Sequence, residues 1–322
     1  MTSPRNSADA LRRVLEGTRL DRAALDKRIA EALDPGYWRR LCPSLSMGAT
    51  VPRGPERTSL DDEARRELVR QLREEGYARS APVFPAPLTR RMCRSIAAIK
   101  KDGWPPVFAL VFDESWAIWQ TPSLVGLLGE ALGEDYQLIP RIWCHYVHPV
   151  KGAKGWGPHA DAFGRPGVTV WIPLSDATLD NGCIYVVPKN LLAGRVDARN
   201  LFDAGDVPLG TVTELLQYAR AVPAVRGSIL LWDFDVIHWG SVVTAAAKRP
   251  SPRISISAEF VPAASGWTTV LPPSAVPVTL EDRLRVIVSN IRMFADNDPW
   301  TFKFLDLGEH LASALEMPPA RS

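Results

Sequence analysis

A histidine and an aspartate one residue apart, His159 and Asp161, are the pair in this sequence best suited to bind a metal. Residues i and i+2 of a β-strand point to the same face, so an imidazole and a carboxylate spaced in this way on a strand would converge on one point. One further histidine would complete a facial triad on ferrous iron that leaves three coordination positions open. The same spacing is also compatible with a solvated loop or with an ordinary hydrogen-bonded histidine.

His238 is the candidate for the third ligand among the five histidines of the chain. It ends an apolar, strand-like run 77 residues after Asp161 (238 − 161), which leaves room for several strands of a jelly roll to return it to the pair. His145 and His148 are three residues apart on a predicted strand and therefore point to opposite faces, so we predict packing or supporting roles for them. His310 falls in a helical tail. A histidine of the core is the competing interpretation of His238.

A carboxylate-binding pair is predicted on the strand-like segment 253–260, in which apolar and polar residues alternate. Its polar face carries Arg253 and Ser255, and a guanidinium fork beside a hydroxyl suits a carboxylate. Such a clamp close to an open-sided iron site is what an α-keto acid co-substrate needs. A surface arginine on a half-exposed strand is the alternative. Arg249 competes for the same role, but it precedes a proline-rich turn, whereas Arg253 is in register with Ser255.

Composition and charge narrow the class of protein. The formal net charge is +2, from 38 basic and 36 acidic residues, and no basic block indicates a nucleic-acid partner. We find neither a signal peptide nor an apolar run that could span a membrane, and therefore expect a cytoplasmic protein. The cysteines are widely spaced, which favours free thiols over disulfides. They are Cys42, Cys93, Cys144 and Cys183.

Periodicity predicts helices in the first third of the chain and short strands after it. Helices are expected at 7–34, from a cap at Ser59 to Gly76, at 87–101, from Thr121–Pro122 to Gly133, at about 211–220 and, after a cap at Thr279, at 279–296. Strands are expected at 107–112, 137–148, 168–174, 183–187, 226–232, 237–239 and 253–261. This order indicates an α+β fold, mainly β, built on a sandwich or barrel.

We therefore expect one catalytic domain over 1–322. Within it we predict an N-terminal helical extension (1–58), a helical flank (59–136), a core that carries the metal site (137–262) and a C-terminal helical tail (263–322). The extension and the loop 190–222 are the expected sources of specificity, as a lid or as the contact of a homodimer formed through the N-terminal helices.

Segment 157–261 resembles the phytanoyl-CoA dioxygenase family of non-haem iron, 2-oxoglutarate-dependent oxygenases. Several features match in order and approximate spacing, which is more specific than any one of them. They are His159-x-Asp161, the strand with Trp171, Asn181-Gly182-Cys183 before Val186-Val187-Pro188, His238-x-Gly240-Ser241, and Arg253 leading Ile-Ser-Ile-Ser. The resemblance covers about a third of the chain well. The loop between His238 and Arg253 is longer than is usual in the family.

The resemblance implies a double-stranded β-helix, the cupin-like jelly roll, with helices on its outer face. It implies Fe(II) on His159, Asp161 and His238, and 2-oxoglutarate on Arg253 and Ser255 with Trp171 close by. With O₂, 2-oxoglutarate would yield succinate and CO₂ while an unactivated sp³ carbon is oxidised, usually by hydroxylation.

The carboxylate at position 161 also argues against halogenation, because related halogenases carry a small residue there and leave that position to chloride. The family accepts specialised metabolites, amino-acid derivatives and acyl compounds, and the sequence does not select among these small molecules. Phe163, Arg165 and Trp239 flank the predicted ligands and are candidates to line the mouth of the site. Two alternatives stay open: a cupin-like metal-dependent isomerase or hydrolase that does not use 2-oxoglutarate, and a non-catalytic binding module of the same fold.

Overall fold

The computed structural model describes residues 21–48, 59–192, 209–244, 251–272, 277, 279–295, 301 and 304–317. The described helices are α1 (Arg22–Leu33), α2 (Pro35–Leu41), α3 (Asp62–Glu75), α4 (Ala86–Lys101), α5 (Glu114–Ala117), α6 (Pro122–Leu132), α7 (Lys189–Leu192), α8 (Leu209–Tyr218), α9 (Leu280–Phe294) and α10 (Leu305–Ala314). The described strands are β1 (Tyr77–Arg79), β2 (Gln137–Val147), β3 (Val168–Pro173), β4 (Ile184–Val187), β5 (Arg220–Val222), β6 (Leu230–Asp233), β7 (Ile237–Gly240) and β8 (Arg253–Val261). None of these helices is both long enough and apolar enough to cross a membrane.

The chain divides into two compact units. The first comprises residues 1–52, 94–116 and 276–322, and the second comprises 53–93 and 117–275. This division does not test the single catalytic domain or the segment boundaries expected from the sequence, which stay predictions.

The first unit is helical in its described residues and is built on an aromatic cluster. Trp38 stacks on Phe108 with ring centroids 5.5 Å apart, and Trp104 lies 4.6 Å from the same ring. All three side chains are buried. Arg283 of α9 and Asp113 form a buried ion pair at 2.6 Å in this unit.

The second unit holds the β-structure. A five-stranded antiparallel sheet has the order β1-β6-β3-β8-β2, and a three-stranded antiparallel sheet has the order β5-β4-β7. Side chains from both sheets share one hydrophobic core, in which Trp171 and Leu230 of the larger sheet meet Val186 and Val222 of the smaller one. Two antiparallel sheets packed in this way, with helices beside them, confirm the predicted α+β fold with a jelly-roll core, although helices account for more of the described residues than strands do.

Most elements lie where the sequence placed them, and their caps explain why. Helix α9 begins after Thr279, whose hydroxyl accepts a bond from the amide of Asp282 at 3.1 Å. Strand β8 runs from Arg253 to Val261, as predicted. Helix α3 ends at Gly76, whose φ of 84° a residue with a side chain rarely adopts. It begins two residues later than expected from the cap at Ser59, because Asp61 is the N-cap and accepts from Ala64 N at 2.8 Å.

Four other expectations were wrong or incomplete. The predicted strand 107–112 is a 3₁₀-helix (Pro106–Val111), because i→i+3 bonds such as Phe108 N to Pro105 O, at 3.1 Å, close its turns. Asp34 ends α1, but it also caps α2, a helix that the sequence did not predict. The strand expected at 226–232 is shorter and lies at Leu230–Asp233. The helix expected at 211–220 is α8, after which β5 pairs with β4. Residues 7–20 of the first predicted helix lie outside the described residues.

Candidate metal centre

The two histidines of the candidate site face each other across a pair of backbone hydrogen bonds. His159 N donates to His238 O at 3.1 Å, and His238 N donates to His159 O at 2.9 Å. His238 is carried by β7 and is buried, whereas His159 lies in the loop before β3. The His-x-Asp pair was expected on a regular strand. It instead lies in this loop, where the isolated bridge to His238 supplies the extended geometry at His159 only.

Both imidazoles direct the same nitrogen atom, Nε2, toward the carboxylate of Asp161. His159 Nδ1 donates to Gly157 O at 2.7 Å, and His238 Nδ1 donates to Val236 O at 3.0 Å. A carbonyl oxygen can only accept, so the proton of each neutral ring lies on Nδ1 and the Nε2 lone pair stays available. This is the usual support for a histidine that binds a metal.

Asp161 completes the group with one carboxylate oxygen. Its Oδ1 lies 3.7 Å from His159 Nε2 and 3.8 Å from His238 Nε2. The three ligand atoms fall within 4.8 Å of one another, as they would around one cation. The other oxygen, Oδ2, accepts bonds from Thr169 Oγ1 at 2.5 Å and from Trp232 Nε1 at 2.9 Å. Two buried donors therefore turn Oδ1 toward the histidines.

Burial sets the charge state of these ligands. Burial lowers the pKa of His238 to about 4, against the opposing effect of the Asp161 carboxylate. Burial raises the pKa of Asp161, but the two histidines and the bonds from Thr169 and Trp232 outweigh it and hold that pKa below its ordinary value. Near neutral pH the set therefore holds a neutral imidazole at position 238 and a carboxylate at position 161, which are the forms that bind a divalent metal.

Arg253 of β8 belongs to the same compact unit as the three candidate ligands and is 1% exposed. Its Nη1 donates to Ser255 Oγ at 3.1 Å, and its guanidinium lies 5.6 Å from the ring centroid of Trp171. Its Nε has no hydrogen-bond partner, and neither has Trp171 Nε1, within the part of the chain that the structure describes. Burial lowers the pKa of Arg253 to about 10, so it stays charged at neutral pH. A buried guanidinium with one neutral partner fits an incoming carboxylate.

The model of the phytanoyl-CoA dioxygenase family matches residues 62–251, which is 190 of the 322 residues. The chain belongs to the phytanoyl-CoA dioxygenase family. The matched range includes all three residues of the triad and stops two residues before Arg253, so the placement of that arginine depends on the structure. No curated protein sequence matches the chain.

Solved structures agree with the family in fold. The chain is similar to the non-haem α-ketoglutarate-dependent epimerase SnoN from nogalamycin biosynthesis, with 17% identity, coverage of 67% of this chain and 96% of that chain, and a TM-score of 0.50. It is also similar to the apo form of the non-haem monooxygenase ThoJ, with 13% identity, coverage of 76% and 99%, and a TM-score of 0.50. The nickel complex of ThoJ has 15% identity, with coverage of 73% of this chain and 99% of that chain, and again a TM-score of 0.50.

The residues predicted to line the mouth have partners of their own. Phe163 and Trp239 pack on one apolar cluster with Ile237, which precedes the ligand His238. Arg165 lies 3.8 Å over the ring of Trp267 and donates to Gly266 O at 3.4 Å. Lys189 is paired with Asp233 at 2.8 Å. Arg249, the competitor of Arg253 for the carboxylate, lies outside the described residues.

His145 contacts a neighbouring side chain, which is compatible with the packing or supporting role predicted for it. Its Nε2 lies 3.1 Å from Ser257 Oγ, and burial puts its pKa well below the ordinary value. Sequence reasoning missed Glu259 and its partner Arg141. Glu259 is buried and is bonded by Arg141 at 3.2 Å. Burial, followed by the Asp161 carboxylate, raises the pKa of Glu259 to about 8 although Arg141 opposes the change. The alternation along β8 carried a signal for Glu259, since it places Glu259 on the same face as Arg253.

Proposed function

We propose that this chain is an Fe(II)- and 2-oxoglutarate-dependent oxygenase that oxidises an sp³ carbon of a small molecule. In this proposal His159, Asp161 and His238 hold the iron. The donor set supports the assignment, because two imidazoles and one monodentate carboxylate on one side of a cation are the ligands of non-haem iron oxygenases. Iron and 2-oxoglutarate would supply the oxidising chemistry with O₂, yielding succinate and CO₂.

The observation that carries the proposal is the state of Arg253. A guanidinium that is 1% exposed, with one neutral hydroxyl as its only hydrogen-bond partner among the described residues, needs an anion. We assign that anion to the distal carboxylate of 2-oxoglutarate, bound by Arg253 and Ser255 with Trp171 beside it. Two glycines next to the Arg253 guanidinium leave space around it that a side chain would fill. A Cβ on Gly155 would lie 2.8 Å from Arg253 Nη2, and one on Gly240 would lie 3.1 Å from it.

The remaining residues bind, orient and exclude water. Thr169 and Trp232 bind Oδ2 of Asp161, so that residue would hold a metal through Oδ1 alone and would leave room for the co-substrate and O₂. Phe163 and Trp239 supply apolar surface next to His238. Arg165 packs over the ring of Trp267 and so holds the loop that carries His159 and Asp161 against that ring. The carboxylate at 161 favours hydroxylation over halogenation as the outcome.

The test is the binding of 2-oxoglutarate to the anaerobic Fe(II) protein, followed by the visible metal-to-ligand charge-transfer band. We expect the band with the wild-type protein. Arg253→Met is expected to weaken the binding of 2-oxoglutarate at least about 100-fold, because two charge-assisted hydrogen bonds between the guanidinium and the carboxylate are lost. Fe(II) affinity should be retained. Arg220→Met is the control, since Arg220 pairs with Glu75 near the surface of the same unit.

Different results would favour the alternatives. If Arg253→Met binds 2-oxoglutarate like the wild type, Arg253 does not hold the co-substrate. Turnover that is unaffected by this change would favour the metal-dependent isomerase or hydrolase. A well-folded protein that shows no band with Fe(II) and 2-oxoglutarate points to the non-catalytic binding module. Substrate-dependent release of succinate in a metabolite screen then tests the oxygenase class and identifies the substrate. Formation of a homodimer through the N-terminal helices stays a prediction, which the mass in solution would test.

A further inference from the structure

Strand β8 carries a guanidinium and a carboxyl group on the face that contains the candidate site. Arg253 and Glu259 are six residues apart on that face, which corresponds to about 20 Å along a strand. The Cα partner of Glu259 on β3 is Thr169, the residue whose hydroxyl is bonded to Asp161. Glu259 therefore lies beside the metal-binding carboxylate, at the end of the strand opposite Arg253.

Glu259 has fewer hydrogen bonds than a buried carboxylate requires. It is 8% exposed, and a carboxylate offers about four acceptor positions. Among the described residues it accepts one bond, from Arg141 Nη1 to Oε2 at 3.2 Å. Its Oε1 accepts none from them. Ionising a buried carboxyl with so few donors is costly, in agreement with the raised pKa of Glu259, and a donor placed on Oε1 would stabilise the ionised form.

The partner of Glu259 is placed by a bulge in β2. Ile139 is opposite Glu259, but Ile142 is opposite Ala258, so Pro140 and Arg141 are extra residues in the ladder. Bulges redirect side chains and are common next to active sites. The guanidinium of Arg141 is fixed on its other side by Trp267, whose ring centroid lies 4.6 Å away. Arg141 therefore holds one oxygen of Glu259 and leaves the other accessible.

We propose that Glu259, positioned by Arg141, binds a hydroxyl or amino group of the substrate close to the carbon that is oxidised. The inference rests on the function proposed above and deepens it. The substrate is then a donor-bearing molecule, such as a polyol, an amino alcohol or a hydroxylated ring, rather than a plain alkyl chain. Glu259 is the residue that determines this specificity, and Arg253 serves the co-substrate at the other end of the strand.

Small probe compounds test the proposal before the substrate is known. The panel consists of small alcohols, each paired with its methyl ether, which keeps the apolar surface and the acceptor but lacks the donor. The corresponding primary amines complete it. Binding to the anaerobic Fe(II)–2-oxoglutarate complex is read from the change in its charge-transfer band, so no turnover is needed.

The expected preference follows from the charge of the acceptor. The pKa of Glu259 is raised to about 8, so the titrations are run above that pH, where the carboxylate is ionised. We expect alcohols to bind roughly tenfold or more tightly than their ethers, because a bond to a charged acceptor is formed.

Two variants and one control separate the role of Glu259 from its packing. Glu259→Leu removes both acceptors and is expected to abolish the preference for alcohols over ethers. Glu259→Gln keeps an acceptor and the shape, so it should retain part of that preference. It should bind the primary amines, which are cationic at this pH, more weakly than the wild type does, because the charged partner is lost. Glu63→Leu, at an exposed position on α3, should behave like the wild type. All four proteins should keep the band with 2-oxoglutarate.

The possible results distinguish failure of the proposed oxygenase function from failure of the proposed role of Glu259. If wild-type protein shows no band with 2-oxoglutarate, the proposed function fails and this inference fails with it. If the band forms but ethers bind as well as alcohols, or no probe binds, Glu259 does not select a donor and this inference alone is wrong. Retention of the full alcohol preference by Glu259→Leu would likewise overturn this inference alone.

Discussion

Replacing Thr169 by valine tests whether the fold positions the carboxylate of Asp161. Oδ2 of that carboxylate accepts from Thr169 Oγ1 at 2.5 Å and from Trp232 Nε1 at 2.9 Å, and Oδ1 lies between the two imidazoles. Valine has nearly the shape of threonine and forms no such bond. Because Thr169 is 5% exposed, the change alters the support of Asp161 with little change in packing volume.

The expected effect follows from the bond that is lost. A hydrogen bond to a charged group contributes about 1.5–3 kcal/mol, which corresponds to about 10- to 100-fold in an equilibrium constant. Loss of a residue that orients a metal ligand costs about the same factor in metal affinity. We therefore expect Thr169→Val to bind a divalent metal about 10- to 100-fold more weakly. Trp232→Phe should act in the same direction.

Anaerobic titration with Co(II), followed by its visible d–d absorption, measures this affinity without 2-oxoglutarate or substrate. Thr89→Val is the matched control. Thr89 is 1% exposed, and its hydroxyl donates to Ala86 O at 3.2 Å within α4. The control should bind Co(II) like the wild type. If folded Thr169→Val binds Co(II) within about twofold of the wild type, Thr169 does not position Asp161 and the reasoning is refuted.

Three further predictions concern buried charge and space. Arg253→Met should stabilise the protein in the absence of 2-oxoglutarate by about 1–4 kcal/mol in urea unfolding, because a buried charge without a counter-ion is replaced by an apolar side chain; a loss of stability would contradict this. Gly155→Ala should weaken the binding of 2-oxoglutarate, because the new Cβ would lie 2.8 Å from Arg253 Nη2. In the control variant Gly157→Ala the new Cβ meets nothing within 4 Å, so this variant should bind 2-oxoglutarate like the wild type in the same titration. Asp113→Ala should cost about 3–5 kcal/mol of unfolding free energy, because Arg283 is left charged and buried; a change below about 1 kcal/mol would refute a structural role for this pair.

The elements that the sequence predicted well are those with local signals. Helix α9 follows a threonine cap and an apolar stripe, and β8 alternates along its whole length, so both were predicted within two residues. The run 107–112 failed because six apolar residues fit a buried strand or a tight helix equally well. The prolines at 105 and 106 favoured the tight turn, and a bond from Phe108 N to Pro105 O closes it.

The site was predictable where its residues share a spacing or a strand, and unpredictable where they meet through pairing. The group His159, Asp161 and His238 came from spacing and from the family resemblance, and the structure brings these side chains together. The support of Asp161 by Trp232 depends on the register of β3 with β6, in which Thr169 faces Trp232. A single sequence does not specify that register.

The two buried ionisable side chains of β8, Arg253 and Glu259, together constrain the ligands of the site. At about 20 Å, even with an effective dielectric constant of about 20, Arg253 and Glu259 attract each other by less than about 1 kcal/mol, so neither neutralises the other. Arg253 has a hydroxyl as its only hydrogen-bonding partner in the described chain, and Glu259 has one bond from Arg141. Each end therefore gains most from a ligand of complementary chemistry: an acid at Arg253 and a donor at Glu259. If both proposals hold, the co-substrate and the substrate reach the metal from opposite ends of one strand.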